Sequence, residues 1–166
     1  MGLRVGIGYD AHRFAPGRDL VLGGVRVPFE QGLLGHSDAD VLTHALMDAL
    51  LGAARAKDIG HHFPDTDEAF AGASSIKLLE QVATIVRAQG FEIVDADCVL
   101  QLEAPKIAHF REEMRSRLAD AMGVPLARVG LKATTTEGLG FVGRQEGVAA
   151  QAVVLLESTT TRLTGE

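Results

Sequence analysis

The fold is decided by one stretch near the middle of the chain, Phe91-Glu92-Ile93-Val94-Asp95-Ala96-Asp97-Cys98-Val99-Leu100-Gln101-Leu102. Apolar and polar residues alternate along it and β-formers are frequent, which is the pattern of a long β-strand. Pro105 follows closely and suits the first position of a helix, which Gly123 would end. We therefore predict a strand over 91–102 and a helix that begins at Pro105.

The segments on either side predict further strands and helices in an irregular order. Because helices and strands mix without strict βαβ repetition, we expect an α+β fold, a single-domain α/β sandwich in which a mixed sheet packs on helices. Residues 1–158 would form this domain, and 159–166 a polar tail. The predicted strands are Leu3–Tyr9, Leu20–Leu22 and Val25–Val27 around a Gly23-Gly24 hairpin turn, Val129–Thr134 and Val148–Leu156; the predicted helices are Val41–Ala54, capped by Ser37 or Asp38, and one from Ser74 or Ser75 to a final Gly90.

Composition and charge exclude several classes of function. The chain has 166 residues and a net charge of −6, and its Lys and Arg residues are scattered, so no nucleic-acid-binding surface is indicated. No apolar run approaches the roughly 20 residues that span a bilayer, and no signal sequence is indicated, so we expect a cytoplasmic protein. The single cysteine, Cys98, is expected to be a buried, inert thiol. An acidic protein that binds an anionic ligand needs a metal ion or backbone N–H groups at its site.

The end of the first predicted strand carries two candidate metal ligands, Asp10 and His12. Residues two apart on a strand point to the same side, so the carboxylate and the imidazole would converge. Gly6 and Gly8 share that side and would allow another group to approach closely. An Asp-x-His pair alone is common, and it remains equally compatible with an ordinary strand end.

The helix from Val41 carries a third candidate ligand, His44. Asp40 and Asp48 lie four residues to either side of it, so all three side chains share one face. Together with Asp10 and His12, His44 would form a three-ligand zinc site with an open fourth position, and Asp48 would orient the His44 ring. The alternative is that His44 is a histidine on a polar helix face or in a satisfied core.

Three segments have the composition of phosphate- or substrate-binding loops. Thr134-Thr135-Thr136-Glu137 enters a glycine-rich loop, where hydroxyls and backbone N–H groups would cradle phosphate and the acid would bind Mg²⁺. Gly35-His36-Ser37-Asp38 precedes a helix, whose amino end favours an anion, with His36 as donor. Asp58 to Asp67 is a long polar loop. Strand-forming threonines, simple capping by Ser37 or Asp38, and a solvated His61-His62 loop are the alternatives.

Taken together and in order, these motifs resemble the methylerythritol cyclodiphosphate synthases. The resemblance runs from about Leu3 to Glu157, and the match of several motifs in order is far more specific than any one of them. The segments that carry it are Gly8-Tyr9-Asp10-Ala11-His12-Arg13, Gly35-His36-Ser37-Asp38-Ala39-Asp40-Val41, Asp58-Ile59-Gly60, Phe63-Pro64-Asp65-Thr66-Asp67, Ala104-Pro105-Lys106, Lys132-Ala133-Thr134-Thr135-Thr136-Glu137, Leu139-Gly140-Phe141, Gly143-Arg144 and Glu146-Gly147.

The resemblance implies metal and catalytic roles for particular residues. Asp10, His12 and His44 correspond to the family's Zn²⁺ ligands, and Glu137 corresponds to the residue that binds a second divalent ion, Mg²⁺ or Mn²⁺. The positions credited with transition-state stabilisation correspond to His36 and Thr135 in this chain.

The resemblance also implies substrate-binding positions. Asp58 and Gly60 correspond to contacts with the ribose and nearby groups, Phe63–Asp67 to contacts with the erythritol phosphate, and Leu102–Ala108 with Thr134 to the cytosine pocket. The full set of implied substrate-binding residues is Asp10, Ala11, His12, His36, Ser37, Asp58, Ile59, Gly60, Phe63, Pro64, Asp65, Thr66, Asp67, Leu102, Glu103, Ala104, Pro105, Lys106, Ile107, Ala108, Thr134, Thr135, Thr136, Glu137, Phe141 and Arg144.

The expected reaction is cyclisation of a CDP-linked substrate with release of CMP, in the non-mevalonate isoprenoid pathway. The resemblance implies a homotrimer with active sites between subunits and a central cavity, lined near Phe141 and Arg144, that accepts an isoprenoid diphosphate in some relatives. We expect this domain alone, without the cytidylyltransferase domain of related bifunctional proteins. Two other hypotheses remain open here: a zinc phosphodiesterase, and a non-catalytic trimeric module that binds an isoprenoid diphosphate.

Overall fold

A five-stranded mixed sheet is the central element of the fold. The computed structural model describes residues 2–159. The strand order is β4-β1-β7-β5-β6; only β5 and β6 pair in parallel, and β2 and β3 form a separate hairpin. The predicted mixed sheet is therefore confirmed. The strands are β1 (Leu3–Ala15), β2 (Leu20–Leu22), β3 (Val25–Val27), β4 (Gly32–Leu33), β5 (Phe91–Gln101), β6 (Val129–Thr134) and β7 (Gly147–Ser158).

The helices lie against one face of this sheet. Side chains on β1, β5 and β7 alternate between buried and exposed positions, as expected for a sheet with one covered face. This arrangement is the predicted α+β packing of a sheet on helices. The helices are α1 (Val41–Ala54), α2 (Ile59–His62), α3 (Ser75–Ala88), α4 (Arg111–Met122) and α5 (Gly140–Gly143), with short 3₁₀ turns at Glu68–Phe70 and Leu126–Arg128.

Two glycines let α1 lie unusually close to β1. A Cβ atom at Gly6 would overlap the carbonyl oxygen of Ala49, and one at Gly8 would overlap that of Ala45. The group that approaches this side of the strand closely, as predicted, is therefore the helix α1. It brings His44, on α1, to the level of the strand residues that follow Gly8.

Asp40 caps α1, not Ser37 or Asp38 as the sequence predicted. Its carboxylate accepts hydrogen bonds from the N–H and hydroxyl of Thr43 and from the N–H groups of Gly23 and Gly24. Asp40 is fully buried, and burial together with the nearby charge of Asp38 raises its pKa. The cap thus also ties the β2–β3 hairpin turn to the start of α1.

Three other predictions of local structure were wrong in their bounds. β1 continues to Ala15, because β7 pairs with it as far as Arg13 and β4 pairs with its end, so Asp10 and His12 lie within the strand. The helix expected at Pro105 begins at Arg111, because the chain before it forms a turn closed by a hydrogen bond from the Phe110 N–H to the Ile107 carbonyl oxygen. Asp58 to Asp67 is not all loop, since Asp58 caps the one-turn helix α2.

Along β1, the sheet face opposite the helices is apolar and exposed. Ile7 is 72% exposed and Val5 61%, and the other large apolar residues on this face are Leu3, Tyr9 and Val153. Contiguous apolar surface of this kind marks an interaction site in a soluble protein.

Three further predictions concern the Cys98 thiol, membrane-spanning helices and the C-terminal tail. Cys98 is buried, and burial, with the charge of Asp97, raises its thiol pKa to about 12, as expected of an inert thiol. Among residues 2–159, no helix has the length and hydrophobicity of a membrane span. Of the predicted polar tail, Thr159 is hydrogen-bonded to the Gly90 carbonyl, and 160–166 lie outside the described residues.

Candidate active site

The predicted site residues gather at one edge of the sheet. β1 is antiparallel to β7, β7 is antiparallel to β5, and β5 is parallel to β6, so β1, β5 and β6 all end at that edge. Ala11, Ala149, Gln101 and Thr134 lie side by side in one row across four strands. With about 4.8 Å between neighbouring strands, the backbones of Ala11 on β1 and Thr134 at the end of β6 are roughly 14 Å apart within one chain.

Asp10, His12 and His44 form a compact cluster of metal-ligand type. Asp10 Oδ2 lies 2.9 Å from His12 Nε2 and 3.1 Å from His44 Nδ1, and the two ring nitrogens are 3.2 Å apart. These three residues are the cluster of potential metal ligands found within residues 2–159. One carboxylate and two imidazoles form a donor set that suits a tetrahedral divalent ion with an open position.

The cluster needs a cation to bridge its facing hydrogen-bond acceptors. His12 Nδ1 lies 2.7 Å from the Leu34 carbonyl oxygen, which can only accept, so Nδ1 carries the hydrogen and Nε2 points its lone pair at Asp10. Asp10 Oδ2 and His12 Nε2 are then two facing acceptors 2.9 Å apart, and a proton or a metal ion must lie between them. The residues present therefore fit a bound divalent metal.

The pKa shifts in the cluster show the same demand for positive charge. Burial alone would raise the pKa of Asp10, but the hydrogen bonds and charges of His12 and His44 lower it to about 2. Burial would lower the pKa of His12, but the hydrogen bond and charge of Asp10 raise it above its ordinary value.

The two aspartates predicted to share the His44 face do not contact its ring. Asp40 is committed to the α1 cap, and Asp48 Oδ1 accepts a hydrogen bond from the Ile59 N–H at 2.9 Å. His44 Nε2 instead meets the hydroxyls of Ser75 at 2.9 Å and Ser37 at 3.1 Å. The orienting role predicted for Asp48 is therefore wrong, because the start of α2 uses its carboxylate.

A cavity of about 380 Å³ opens over the metal-ligand cluster. His36 lines it and is held by a contact of 3.0 Å between its Nε2 and the Asp67 carbonyl oxygen. The expected anion site at the amino end of α1 is not available, because the Asp40 side chain fills it. The cavity is lined by Asp10, His12, Gly35, His36, Ser37, His44, Met47, Ile59, Gly60, Phe63, Asp65, Phe70 and Leu78.

The polar segment after α1 frames this cavity through local structure. Asp58 Oδ1 caps α2 by accepting the His61 N–H, and Asp67 caps the following 3₁₀ turn. The rings of Phe63 and Phe70 pack edge to face with centroids 5.4 Å apart. Ile59, Gly60, Phe63 and Asp65 line the cavity; Pro64, Thr66 and Asp67 belong to the same segment, on which Asp67 holds His36.

A second cavity, of about 430 Å³, lies where β5 and β6 end. It gathers most of the residues that the resemblance assigns to the cytosine pocket. Arg111 and Lys132 also line it and were not among the predicted site residues. The lining residues are Leu102, Glu103, Pro105, Lys106, Ile107, Ala108, Arg111, Lys132, Ala133, Thr134 and Thr135, while Ala104 joins Glu103 to Pro105 through the cis peptide.

Glu103 holds the threonine loop at the mouth of the second cavity. Its Oε1 accepts hydrogen bonds from the Thr136 N–H at 3.0 Å and the Gly138 N–H at 3.3 Å. The Thr136 hydroxyl contacts the Leu139 carbonyl oxygen at 2.7 Å. The prediction that three hydroxyls and successive N–H groups cradle phosphate was therefore wrong for Thr136, whose polar groups are used within the loop. Thr135 and Glu137 remain exposed.

The last predicted site residues lie beside β1 and β7. Phe141 lines a third cavity, of about 280 Å³, with Ala11, His12 and Glu146. Arg144 is paired with Glu146 at 3.1 Å, which offsets part of its charge. Most of the predicted residues thus line one of three cavities of one chain, and the predicted residues Asp58, Pro64, Thr66, Asp67, Ala104, Thr136, Glu137 and Arg144 line none of them.

Sequence reasoning missed Ser75 as a site residue. It was considered only as the start of α3, yet its hydroxyl contacts a metal-ligand candidate 31 residues away. A serine at a helix start is so common a capping signal that no pattern in the sequence distinguishes this role.

Comparison with known proteins identifies the family. The model of the YgbB family matches residues 3–157. The 2-C-methyl-D-erythritol 2,4-cyclodiphosphate synthase of Pelotomaculum thermopropionicum is 57% identical over 157 residues, which cover 95% of this chain and 97% of that protein.

Solved structures agree with this relationship. A 2C-methyl-D-erythritol-2,4-cyclodiphosphate synthase in a CDP-bound form is 42% identical with a TM-score of 0.85, over 93% of this chain and 100% of that one. The bifunctional IspDF from Campylobacter jejuni is 43% identical with a TM-score of 0.91, and the match covers 95% of this chain and 42% of that longer protein. The motifs, the sheet and the clustered ligands together place this chain in the YgbB family of cyclodiphosphate synthases.

Proposed function

We propose that this chain is a 2-C-methyl-D-erythritol 2,4-cyclodiphosphate synthase of the non-mevalonate isoprenoid pathway. It converts 4-diphosphocytidyl-2-C-methyl-D-erythritol 2-phosphate to the 2,4-cyclodiphosphate and releases CMP. The observation that carries the proposal is the Asp10–His12–His44 cluster under a cavity, in a chain whose relatives match over nearly their whole length. The proposal treats 1–158 as one synthase domain with a tail at 159–166, and it includes a cytoplasmic location.

The reaction needs no protein nucleophile. An oxygen of the substrate's 2-phosphate attacks the β-phosphorus, the bond from that phosphorus to the bridging oxygen breaks, and CMP leaves with the bridging oxygen. The protein's task is therefore to position the two groups and neutralise charge, as in other phosphoryl transfers. Because the attacking phosphate and the β-phosphorus belong to one substrate molecule, the protein contributes by holding that molecule in its reactive conformation.

The proposed metal ligands would form two separate metal sites at the sheet edge. Asp10, His12 and His44 would hold Zn²⁺, and Glu137 would hold Mg²⁺ or Mn²⁺. Bound there, the two ions would supply Lewis-acid polarisation and charge neutralisation at the phosphate oxygens. This is how a chain of net charge −6 accommodates an anionic substrate.

The remaining roles fall to side chains that line the cavities. His36, whose Nε2 is held by the Asp67 carbonyl, and Thr135, whose side chain is exposed, would stabilise the phosphoryl group in the transition state. The second cavity would hold the cytosine between Leu102–Ala108 and Thr134, and Asp58 to Asp67 would bind the ribose and the erythritol phosphate.

The proposal includes a homotrimer with active sites between neighbouring subunits. The backbones of Ala11, between two of the metal-ligand candidates, and Thr134, where the threonine loop begins, are roughly 14 Å apart in one chain, which is farther than adjacent phosphates of one diphosphate. A neighbouring subunit would bring its own threonine loop closer, and the exposed apolar face around Ile7 and Val5 supplies a surface for that contact. Phe141 and Arg144 would then lie near the central cavity, where an isoprenoid diphosphate would bind.

Metal depletion tests the proposed chemistry. Protein stripped with a chelator is expected to release no CMP from the diphosphocytidyl substrate, and Zn²⁺ together with Mg²⁺ is expected to restore release. Zn²⁺ alone should restore metal content at the cluster but little turnover, because the second ion is missing. Full CMP release by the stripped protein would contradict the proposal.

A further inference from the structure

A buried serine lies behind the metal-ligand candidate His44. Ser75 Oγ is 2.9 Å from His44 Nε2, on the side of the ring away from Asp10. Ser75 is fully buried at the first position of α3, whereas its neighbour Ser74 is exposed and makes no side-chain cap hydrogen bond. Two adjacent serines at one helix start therefore have different surroundings, and only Ser75 faces the site.

Asp38 fixes the direction of the hydrogen bond between Ser75 and His44. The Ser75 hydroxyl bonds to Asp38 Oδ1, and the Ser75 N–H donates to Asp38 Oδ2 at 3.0 Å. A carboxylate can only accept, so the single hydroxyl proton goes to Asp38, and Ser75 Oγ must accept from His44. His44 then carries its hydrogen on Nε2 and a lone pair on Nδ1, which is the nitrogen that faces Asp10.

Different groups determine which ring nitrogen carries the hydrogen in His12 and in His44. The Leu34 carbonyl holds the hydrogen of His12 on Nδ1, and the Asp38–Ser75 pair holds that of His44 on Nε2. Both lone pairs thus point into the cluster. Ser37 is the second hydroxyl near His44, farther away at 3.1 Å, and its two lone pairs let its Oγ accept both the Ala39 N–H and a share of the His44 Nε2 hydrogen.

We propose that Asp38 and Ser75 are positioning residues that hold His44 in the tautomer and ring orientation needed to bind a divalent cation. The proposal rests on the metal site of the proposed function. Partners that orient a metal-bound histidine typically contribute 10–100-fold to metal affinity. Asp38, predicted from the sequence as a cap of α1, instead joins the start of α3 to the metal-ligand cluster.

The first test compares two serine variants of the full chain. Zinc affinity is measured by competition with a chromophoric chelator. Ser75→Ala is expected to bind Zn²⁺ about 10–100-fold more weakly than wild type, whereas Ser74→Ala should bind it as wild type does. Thermal unfolding of the metal-free proteins provides the folding check, and the loss of affinity should be present in Ser75→Ala protein that unfolds cooperatively.

A second variant separates the relay from a general structural effect. Asp38→Asn should weaken Zn²⁺ binding in the wild-type background but change it little in a Ser75→Ala background, because Asp38 acts on His44 through Ser75. Co²⁺ bound in place of Zn²⁺ provides a spectroscopic readout. Its visible absorption should change in Ser75→Ala and Asp38→Asn, and not in Ser74→Ala, because only the first two release the His44 ring.

The outcomes distinguish the relay from the metal site itself. Equal zinc affinity of wild type and Ser75→Ala, or fully additive effects of Ser75→Ala and Asp38→Asn, would overturn the relay and leave the metal site intact. A wild-type protein that binds no Zn²⁺ would overturn both.

Discussion

Asp40 shows at the scale of a residue how one buried carboxylate joins two parts of the chain. It receives hydrogen bonds from the hairpin turn at Gly23-Gly24 and from Thr43 in the first turn of α1. The sequence placed it on the His44 face, next to the supposed metal site. Helical spacing was right for the backbone, but the side chain turned to the N–H groups of α1 and the hairpin, which no local pattern reveals.

Replacing Asp40 should destabilise the protein. Asp40→Ala leaves buried N–H donors unsatisfied, and each such group costs about 1–3 kcal/mol. We expect the free energy of unfolding, measured in urea, to fall by at least about 2 kcal/mol, with Asp19→Ala, in an exposed ion pair, as control. A loss for Asp40→Ala no larger than that of the control would contradict this role.

His44 provides the direct test of the ligand cluster. His44→Ala removes one of three candidate ligands, so zinc affinity should fall by more than the roughly 100-fold upper range of an orienting partner. Metal content after dialysis and CMP release should both be lost, while circular dichroism stays native. His109→Ala, at an exposed position, should retain its zinc. A zinc-replete, active His44→Ala protein would refute the assignment.

At the scale of elements, the strands and helices with strong periodicity were predicted well, and those made by tertiary contacts were not. The bounds of α1 and β6 agree with the prediction because their apolar patterns are complete. β1 extends past its predicted end because β7 and β4 supply hydrogen-bond partners that lie far away in sequence. The late start of α4 was also not predicted, because Pro105 fits a turn as well as a helix start.

Replacing Gly8 and replacing Gly52 by alanine should have opposite effects on the stability of the protein. Gly8→Ala should destabilise the protein, because its Cβ meets the Ala45 backbone and α1 must shift; overpacking typically costs about 1–3 kcal/mol. Gly52→Ala in α1 has room, since the one atom within reach is 4.0 Å away. It should stabilise by about 0.5–1 kcal/mol through helix propensity.

Urea unfolding of the two glycine variants measures both effects. Equal effects of Gly8→Ala and Gly52→Ala would show that close packing of α1 on β1 does not determine stability.

At the scale of the whole molecule, the candidate site residues of a single chain fall into separate cavities. Its first cavity contains the metal-ligand cluster, its second contains the cytosine-pocket residues, and the two share no lining residue. The sequence contained the motifs of both but could not give their separation, which depends on the strand order across the sheet. That order depends on pairing between distant segments, such as β1 with β7.

Disrupting the exposed apolar face should dissociate the proposed trimer. Ile7 is 72% exposed in the single chain, so Ile7→Lys should leave the monomer folded while burying a charge in any interface there. Sedimentation is expected to show monomers, and CMP release should be lost with them. Leu126→Lys, on an exposed 3₁₀ turn, should leave the assembly unchanged. Trimeric, active Ile7→Lys protein would place the interface elsewhere.

The most direct measurement of the central claim is the product of the reaction. Phosphorus NMR of the purified protein with 4-diphosphocytidyl-2-C-methyl-D-erythritol 2-phosphate, Zn²⁺ and Mg²⁺ distinguishes cyclic from linear phosphates. We predict that CMP and a cyclic diphosphate appear together in equal amounts. A linear phosphate product would instead indicate a phosphodiesterase, and intact substrate with zinc bound would indicate a binding module; either result would contradict the proposed cyclisation.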